Sequence, residues 1–262
     1  GLRSLGYHIM DPAEGWLACG ITGVGRLPEP EAIVEWLESK MFSTNELEGT
    51  TILVTAGGTQ ENIDPVRYIG NRSSGKMGYA IADQAARMGA QVILVSAPTS
   101  LPVPSGVDFV SVDSALSMQE AVEARYNDVN VVIMAAAVSD FRALHKAEQK
   151  IKKMESMTIE LVKNPDILQG LGSKKSHQIL VGFAAETEHV IKYGQDKVAR
   201  KNLDMLVAND VSKSNAGFNV DTNEGYFLYP DKEPKKMPNM KKSDLARHIL
   251  KEVIELVANK QS

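Results

Sequence analysis

Residues 51–90 read TILVTAGGTQENIDPVRYIGNRSSGKMGYAIADQAARMGA, and this stretch decides the fold. It opens with an apolar run, residues 51–56, which has the composition of a buried strand and ends in the turn Gly57–Gly58–Thr59. A polar loop follows, and residues 73–76 then open a small-residue helix predicted for residues 77–88. A strand, a glycine turn and a helix whose first turn can bind an anion are the usual start of a nucleotide site.

Two familiar phosphate-binding motifs fail in this stretch. Residues 70–76 match GxxxxGK, but Met77 offers no hydroxyl for magnesium, and a long loop separates the motif from the strand. The dinucleotide fingerprint GxGxxG is also missing between the strand and the helix. We therefore predict a nucleotide site in two parts, a glycine turn at Gly57 and Gly58 and a separate helix cap at Ser74 and Gly75.

The composition is that of an ordinary globular protein, because 43% of the 262 residues are hydrophobic and 24% are charged. The formal net charge of -4 provides no basic field for nucleic acid, so we expect local lysines to bind any phosphate ligand. No apolar run approaches the roughly 18 residues of a membrane span, and we expect no membrane association. The only cysteine, Cys19, excludes an internal disulfide framework and favours a cytoplasmic protein. None of the 5 histidines lies in a ligand-spaced cluster, so we expect no tightly held metal.

Apolar strands alternate with helices along the rest of the chain. The alternation predicts an α/β fold with a doubly wound, mostly parallel Rossmann-like sheet and a small N-terminal extension. The strand candidates are residues 91–96, 107–112, 131–136, 179–184 and 205–208, and the helix candidates are residues 29–40, 115–126, 165–171, 188–202 and 243–257. Residues 231–242 are predicted to form a solvated hairpin or loop. Ligands of such sheets bind outside the carboxyl ends of strands, and Gly57, Ala137, Asp140, Phe183 and Asn209 all follow strand candidates.

Five blocks of sequence, in this order, resemble phosphopantothenoylcysteine synthetase, the phosphopantothenate–cysteine ligase of coenzyme A biosynthesis. They are DPVRYIGNRSSGKMG at 64–78, AAAVSDFR at 135–142, KIKK at 150–153, NPDI at 164–167 and GFAAET at 182–187. The resemblance extends from about residue 51 to the C-terminus. Five ordered blocks are far more specific than one short pattern.

The first 30 residues resemble a different enzyme. Ala18–Cys19–Gly20, followed by Gly23–Val24–Gly25–Arg26, is similar to the C-terminal clamp of phosphopantothenoylcysteine decarboxylase, which is commonly fused upstream of the synthetase in bacteria. The resemblance implies a decarboxylase remnant at 1–40, a linker at 41–50 and a synthetase domain at 51–262. It also makes Cys19 the proton donor, although the alternative is an ordinary small residue. We expect flavin only on a decarboxylase body that precedes Gly1, and no decarboxylase activity from this chain.

The alanines that follow the strand candidate at 131–136 are candidates for the nucleoside site. Ala135, Ala136 and Ala137 offer backbone donors and acceptors with no side chain in the way, and Asp140 is a good acceptor for a ribose hydroxyl. The alternative is a small-residue packing strip with a helix cap at Asp140. The resemblance implies that the nucleotide is CTP and that these residues, with Met134, bind it, whereas the residues alone leave CTP and ATP open.

Lysines at two places could neutralise a triphosphate. Lys150 and Lys152 alternate with Ile151 and would lie on one side of an extended segment, while Lys197 and Lys201 share one helix face. Such charge runs are usually solvated. The resemblance implies a catalytic role for Lys150 and assigns it to the nucleotide with further residues, and magnesium would arrive with the triphosphate. The further residues are Pro165, Asp166, Ile167, Leu168, Phe183, Lys197 and Lys201.

The long loop before the first helix contains the residue that we expect to act on the second substrate. A neutral amide at Asn71 could hold a carbonyl oxygen while negative charge develops on it, although loop asparagines also adopt left-handed backbone for structural reasons. Arg72 and Lys76 are predicted to bind the substrate, since the resemblance implies that its phosphate points to this helix start. The implied reaction joins phosphopantothenate to L-cysteine through an acyl-cytidylate, with release of pyrophosphate and CMP, in an enzyme that is typically a homodimer.

Two other functions remain open from the residues. Tyr193 and Lys197 fit the YxxxK pair of NAD(P)-dependent short-chain dehydrogenases, although the glycine fingerprint expected with that pair is missing. A non-catalytic nucleotide-binding module would bind CTP without releasing CMP. Residues 209–229, with several aromatic side chains, could supply a strand pair for a dimer or close the core of their own domain.

Overall fold

The computed structural model describes residues 1–5, 7–16, 20–41, 44–153, 155–186, 189–210 and 222–261. It divides the chain into two compact units, Gly1–Asn45 and Glu46–Ser262. Cys19 lies outside the described residues. No helix among the described residues is both long and apolar enough to cross a membrane.

The first unit contains an antiparallel hairpin and one helix. After a 3-10 turn at Leu2–Leu5, strands β1 (Ala13–Trp16) and β2 (Thr22–Arg26) pair, and helix α1 (Pro30–Met41) follows them. The sequence patterns predicted the helix and missed the hairpin. The second unit begins inside the predicted linker, because Leu47 is buried in its core and donates its N–H to Met88 O at 2.9 Å.

The second unit is built on an eight-stranded sheet with the strand order β14-β13-β12-β11-β8-β3-β6-β7. The strands from β12 to β7 in this order are parallel, and β13 and β14 are antiparallel to their neighbours. The elements are β3 (Thr51–Ala56), β4 (Gln60–Asn62), β5 (Tyr68–Gly70), α2 (Lys76–Arg87), β6 (Gln91–Ser96), β7 (Val107–Ser111), α3 (Ala115–Glu123), β8 (Val131–Met134), β9 (Phe141–Ala143), β10 (Leu161–Lys163), α4 (Ile167–Lys174), β11 (Ile179–Glu186), α5 (Val190–Arg200), β12 (Met205–Asp210), β13 (Thr222–Leu228), β14 (Lys235–Lys241) and α6 (Lys242–Gln261).

Helices cover both faces of this sheet, so the predicted doubly wound α/β fold is confirmed. Strand β3 shows the arrangement, since Ile52 and Val54 point to the core shared with α2 and α6, whereas Leu53 points to the core shared with α3, α4 and α5. Because successive side chains of a strand alternate between faces, a strand buried on both sides reads as a continuous apolar run. That is the pattern of residues 51–56.

The strand order reverses next to β3. The chain passes from β3 outward to β6 and β7, and then returns to place β8 on the other side of β3. In open α/β sheets, ligands bind in the crevice at such a reversal, outside the carboxyl ends of the strands. The fold therefore predicts a binding crevice beyond Ala56 and Met134.

Several local predictions were wrong. Strand β8 ends at Met134, so Ala135 and Ala136 lie beyond it. Residues 231–242, predicted as a solvated hairpin or loop, include the edge strand β14, which forms a hairpin with β13 and buries Met237. The hairpins β4–β5 and β9–β10 were missed, because three-residue strands carry too little periodicity to be predicted.

Candidate functional site

Two adjoining clefts lie at the carboxyl ends of the parallel strands. The first cleft has a volume of about 370 Å³ and is lined by Asn71, Ser73, Ser74, Gly75, Lys76, Met77, Gly78, Ala135, Ala136, Ala137, Val138, Asp140, Phe183, Ala184, Ala185, Lys197, Asn209 and Lys242. The second cleft has a volume of about 300 Å³ and is lined by Met134, Ala136, Val138, Ser139, Asp140, Lys163, Asn164, Pro165, Asp166, Ile167, Leu168, Phe183 and Lys201. Four residues, Ala136, Val138, Asp140 and Phe183, line both clefts, which are therefore continuous.

The glycine turn shapes the first cleft without lining it. Gly57 has a φ of 81°, and a Cβ at this position would lie 2.6 Å from Ala97 O. A Cβ on Gly58 would lie 2.8 Å from Asn71 O. Both glycines thus allow backbone segments to approach closely, and the structure gives them a packing role where the sequence analysis predicted nucleotide contacts.

The start of α2 forms one wall of the first cleft. Its N-cap residue, Gly75, has a φ of 74° and supplies no side chain to cap the helix. Ser73 Oγ accepts a hydrogen bond from Gly75 N–H at 3.3 Å, which orders the loop before the helix. The positive end of a helix dipole, with Ser74 and Lys76 beside it, therefore faces the cleft and favours an anionic ligand.

The three alanines line the first cleft, but their N–H groups are already used inside the protein. Ala135 N–H bonds Ile133 O at 3.2 Å, Ala136 N–H bonds Thr55 Oγ1 at 3.1 Å, and Ala137 N–H bonds Gly57 O at 2.8 Å. The groups of this strip that can bond a ligand are therefore carbonyl oxygens, which accept hydrogen bonds from donors such as an amino group. This corrects the expectation that the strip offers both donors and acceptors.

Asn71 lies at the rim of the first cleft with its amide already oriented. Its Nδ2 donates a hydrogen bond to Val138 O at 3.0 Å, and the residue is otherwise exposed. An amide nitrogen carries two hydrogens, so this bond directs the group and leaves the second N–H for a ligand. Arg72, by contrast, is exposed and lines neither cleft.

The predicted lysine pair, Lys197 and Lys201, is divided between the clefts. Lys197 lines the first cleft, and Lys201, directly after the helix, lines the second. Lys201 Nζ lies 2.8 Å from Asp166 Oδ2, and Asp166 Oδ1 caps α4 by accepting a bond from Gln169 N–H at 3.0 Å. Burial alone would raise the pKa of Asp166, but these hydrogen bonds outweigh it and lower the pKa from its ordinary value.

Lys150 is exposed and lines neither cleft, which differs from its predicted place at the nucleotide. The physical reason is its position in the long connection between β9 and β10, on the outer side of a segment that is fixed through its neighbour. Asp64 Oδ2 accepts the N–H of Ile151 at 3.1 Å, and Arg67 Nη2 donates to Ile151 O at 2.8 Å. The structure therefore anchors the backbone next to Lys150 without directing its side chain into a cleft.

Asp64 is the centre of this anchor. It is fully buried, and it also accepts hydrogen bonds from Val66 N–H at 2.8 Å and Arg67 N–H at 2.9 Å, while the Arg67 guanidinium bonds its other oxygen. Burial alone would raise the pKa of Asp64, but the bonds from Val66, Arg67 and Ile151 hold the pKa well below its ordinary value. The carboxylate thus stays ionised and joins the β4–β5 hairpin to the segment that carries Lys150.

The residues of the first cleft that were not among the predicted ligands include Asn209 and Lys242. Asn209 lies near the end of β12 and lines the first cleft. Its buried Oδ1 has no hydrogen-bond partner among the described residues. Its place after a strand candidate was the available signal. Lys242 is buried with 9% exposure at the start of α6 and lines the same cleft. No sequence signal separated it from the exposed lysines before it.

Metal-ligating side chains are scarce around the clefts. Within the described part of the chain, no group of three or more His, Cys, Asp or Glu residues could hold a metal ion. Among the described residues, the carboxylates that line the clefts are Asp140 and Asp166, and Asp166 is paired with Lys201. The lysines and the helix N-terminus in the lining suit the binding of a phosphate group.

Comparisons with known proteins identify the family of this chain. Residues 47–257 match the family model described as DNA/pantothenate metabolism flavoprotein C-terminal domain. The chain is 47% identical over 255 residues to the coenzyme A biosynthesis bifunctional protein CoaBC of Bacillus subtilis, and 46% identical over 258 residues to that of Escherichia coli K12. These alignments cover 96% and 97% of this chain, and the chain spans 63% of the length of each relative. The crystal structure of a CoaBC C-terminal domain superposes with a TM-score of 0.72 at 44% identity, covering 82% of this chain and 100% of that domain.

Proposed function

The chain belongs to the family of the DNA/pantothenate metabolism flavoprotein C-terminal domain, and from this membership we propose that it is a phosphopantothenate–cysteine ligase of coenzyme A biosynthesis. One observation carries the proposal. Residues from separate sequence blocks, among them Asn71, Lys76, Ala136, Asp140 and Lys197, line one cleft that continues into a second. The relatives that span this chain are named as coenzyme A biosynthesis proteins.

The proposed reaction has two steps. The carboxylate of phosphopantothenate attacks the α-phosphorus of CTP, a new P–O bond forms, and the bond to the departing pyrophosphate breaks. The amine of L-cysteine then attacks the acyl carbon, CMP leaves, and the amine loses a proton as the amide forms. The attacking carboxylate is already ionised near neutral pH, so the protein mainly positions groups and stabilises charge.

The residues of the clefts would divide this work. The start of α2 and Lys197 would bind phosphate groups, and Lys201 would join them if a phosphate replaces Asp166 as its partner. The second N–H of Asn71 would stabilise the negative charge on the acyl oxygen in the second step. Magnesium would enter bound to phosphate oxygens, where it neutralises charge on the triphosphate.

The alanine strip supports a base that carries an amino group. Carbonyl oxygens at this strip would accept from the amino group of cytosine or adenine, whereas uracil presents only a carbonyl at the same position. Asp140 lines both clefts and would accept hydrogen bonds from the ribose. We propose CTP as the donor, with ATP as the competitor that the assay must include.

The dehydrogenase alternative lacks support. Tyr193 is exposed, contacts His189 edge-to-face and lines neither cleft, although Lys197 lines the first. A Tyr–Lys pair that acts on one substrate would need both side chains in the same cleft. The relatives and the matching family are also those of coenzyme A biosynthesis.

We also propose that the protein is a cytoplasmic homodimer. The described part of β13 pairs with β12 on one side and β14 on the other, and Phe227 and Tyr229 are buried in the core, so this segment is used within its own sheet. A second copy would instead cover the exposed apolar side chains on the hairpins β4–β5 and β9–β10, which include Tyr68 and Phe141. Sedimentation equilibrium tests this proposal, and Tyr68→Ser combined with Phe141→Ser should shift a dimer toward monomer.

The first unit is proposed to be the C-terminal part of a decarboxylase domain, in keeping with the bifunctional relatives. Cys19, which lies outside the described residues, would be its proton donor. The flavin would belong to the body of that domain. Addition of a separately produced flavin-binding body tests this idea, since Cys19→Ser should then abolish decarboxylation and leave ligase activity unchanged.

Pyrophosphate release tests the ligase directly. The protein is incubated with phosphopantothenate and each of the four nucleoside triphosphates, with and without L-cysteine, and both pyrophosphate and nucleoside monophosphate are measured. We expect pyrophosphate with CTP before cysteine is added, and CMP only after it. A non-catalytic module would bind CTP and release neither product, and hydride transfer from NADPH would support the dehydrogenase instead.

A further inference from the structure

Lys242 is a buried lysine that tertiary packing brings into the first cleft. It is the first residue of α6 and directly follows the edge strand β14. The helix is held by Leu245, Ala246 and Ile249, which are buried in the same core as the α2 residue Ile81. Because α2 forms one wall of the cleft, this packing places the first turn of α6 beside it.

The position of Lys242 is unfavourable for a cation in two respects. Lysine is rarely buried in proteins, and Lys242 has only 9% of its surface exposed. The N-terminus of a helix is the positive end of its dipole, so a cation in the first turn is destabilising. Asp244 places one negative charge in the same first turn, and an anion bound in the cleft would stabilise the Lys242 ammonium further.

The charges that line the first cleft point the same way. Among the described residues that line it are three lysines, Lys76, Lys197 and Lys242, and one carboxylate, Asp140. This part of the lining has more positive than negative side chains, although the whole chain has a formal net charge of -4. Lysines gathered in a cleft favour the binding of an anion there.

We propose that Lys242 binds a phosphate group of a substrate in the first cleft. The inference rests on the proposed ligase function for the identity of that substrate, and two sources share the chemistry. One is the triphosphate of the nucleotide, and the other is the phosphate ester of phosphopantothenate. An ammonium contacts either as a point charge through up to three donors.

The test compares Lys242→Met with Lys241→Met. Methionine keeps the length and apolar stem of the lysine and removes the charge, and Lys241 is the exposed neighbour that does not line the cleft. Equilibrium dissociation constants are measured for CTP and for inorganic tripolyphosphate. Michaelis constants are measured for phosphopantothenate and for pantothenate, which lacks the phosphate. The thermal unfolding midpoints of both variants are also measured. A Lys242→Arg variant, which keeps the charge, is included in all of these measurements.

We expect Lys242→Met to weaken the binding of one phosphate-bearing substrate by about 10- to 100-fold, which is the range for losing a hydrogen bond to a charged group. Weaker CTP and tripolyphosphate binding would identify the triphosphate. A higher Michaelis constant for phosphopantothenate, with no change in the Michaelis constant for pantothenate, would identify the phosphate ester of phosphopantothenate as the group that Lys242 binds. Lys241→Met should match the wild type, and Lys242→Arg should recover part of the loss.

Other outcomes overturn the inference. It fails if Lys242→Met binds every phosphate ligand as the wild type does, if its unfolding midpoint falls while the binding constants stay unchanged, or if the wild type binds no phosphate ligand. The ligase can fail separately. If the wild type binds tripolyphosphate, Lys242→Met loses this binding and no turnover occurs, then Lys242 is a phosphate ligand in a protein that is not this ligase.

Discussion

Two glycines of helix α4 should respond to the same substitution with opposite signs. A Cβ on Gly172 would lie 1.9 Å from Lys201 O and 2.9 Å from Lys201 C, whereas a Cβ on Gly170 would meet no atom within 4 Å. Gly172→Ala must therefore push the end of α5 away by about 1 Å, because the close-packed interior offers no space. Gly170→Ala only reduces the freedom of the unfolded chain and improves helix propensity.

The magnitudes follow from these contacts. Overpacking lowers the free energy of unfolding by about 1–3 kcal/mol. The higher helix propensity of Ala relative to Gly raises it by about 0.5–1 kcal/mol. We expect Gly172→Ala to lower the free energy of unfolding by about 1–2 kcal/mol and Gly170→Ala to raise it by about 0.5–1 kcal/mol. At about 2–4 °C per kcal/mol for a unit of this size, the two midpoints should differ by several degrees in opposite directions.

The same displacement of the backbone at Lys201 should weaken the binding of the nucleotide. Moving the Lys201 backbone disturbs the ion pair between Lys201 Nζ and Asp166 Oδ2, which are 2.8 Å apart, in the second cleft. Urea unfolding followed by circular dichroism gives the stabilities, and titration calorimetry with CTP gives the affinities. If Gly172→Ala proves as stable as Gly170→Ala, α4 does not approach the Lys201 carbonyl and the reasoning is refuted.

Three further substitutions test the site. Thr55→Val removes the buried hydroxyl that accepts the Ala136 N–H just beyond β8, so unfolding experiments should show a loss of about 1–3 kcal/mol. Thr51→Val, at the partly exposed start of β3, should destabilise the protein less, and equal losses would count against the role of the Thr55 hydroxyl as an acceptor. Asp64→Asn should be less stable than wild type at neutral pH. Because the folded-state pKa of Asp64 is lowered, its stabilisation is complete above its unfolded pKa of about 3.9 and is lost as the pH falls through the lowered value. Urea unfolding at successive pH values should show the gap closing below about pH 4, while Asp83→Asn should show a smaller gap throughout, and a constant gap for Asp64→Asn would contradict the assigned pKa. Asn71→Ala should leave pyrophosphate release intact and slow amide formation by about 10²–10³-fold in the coupled assay, whereas equal loss of both steps would exclude the proposed role.

Much of the fold was predictable because its signals are local. The apolar run of β3 and the small-residue helix α2 follow from side-chain periodicity, which needs only neighbouring residues. The crevice also follows from local patterns, since strand ends in a parallel sheet share one edge. In the structure, Asp140, Phe183 and Lys197 line the clefts at this edge, and their binding of a nucleotide stays a prediction.

Other features required the tertiary structure. The alanine strip lines the first cleft, but only the packing of Thr55 and Gly57 against it shows that N–H groups of the strip are already bonded. Lys150 looked equivalent to Lys197 by charge and spacing, yet the anchor of Ile151 on Asp64 leaves it outside both clefts. Spacing along the chain carries no information about such hydrogen bonds between distant segments.

By itself, the amino-acid sequence determined the α/β class, the elements around residues 51–90 and the helix start at which an anion can bind, because periodicity and glycine conformation are properties of adjacent residues. The tertiary structure alone decided that residues 235–241 form an edge strand, that Asn209 and Lys242 reach the first cleft, and that Asp64 holds a segment far along the chain. These features depend on how α6 packs on α2 and on which strands become neighbours. Such contacts are selected by burial of the whole core and leave no local pattern.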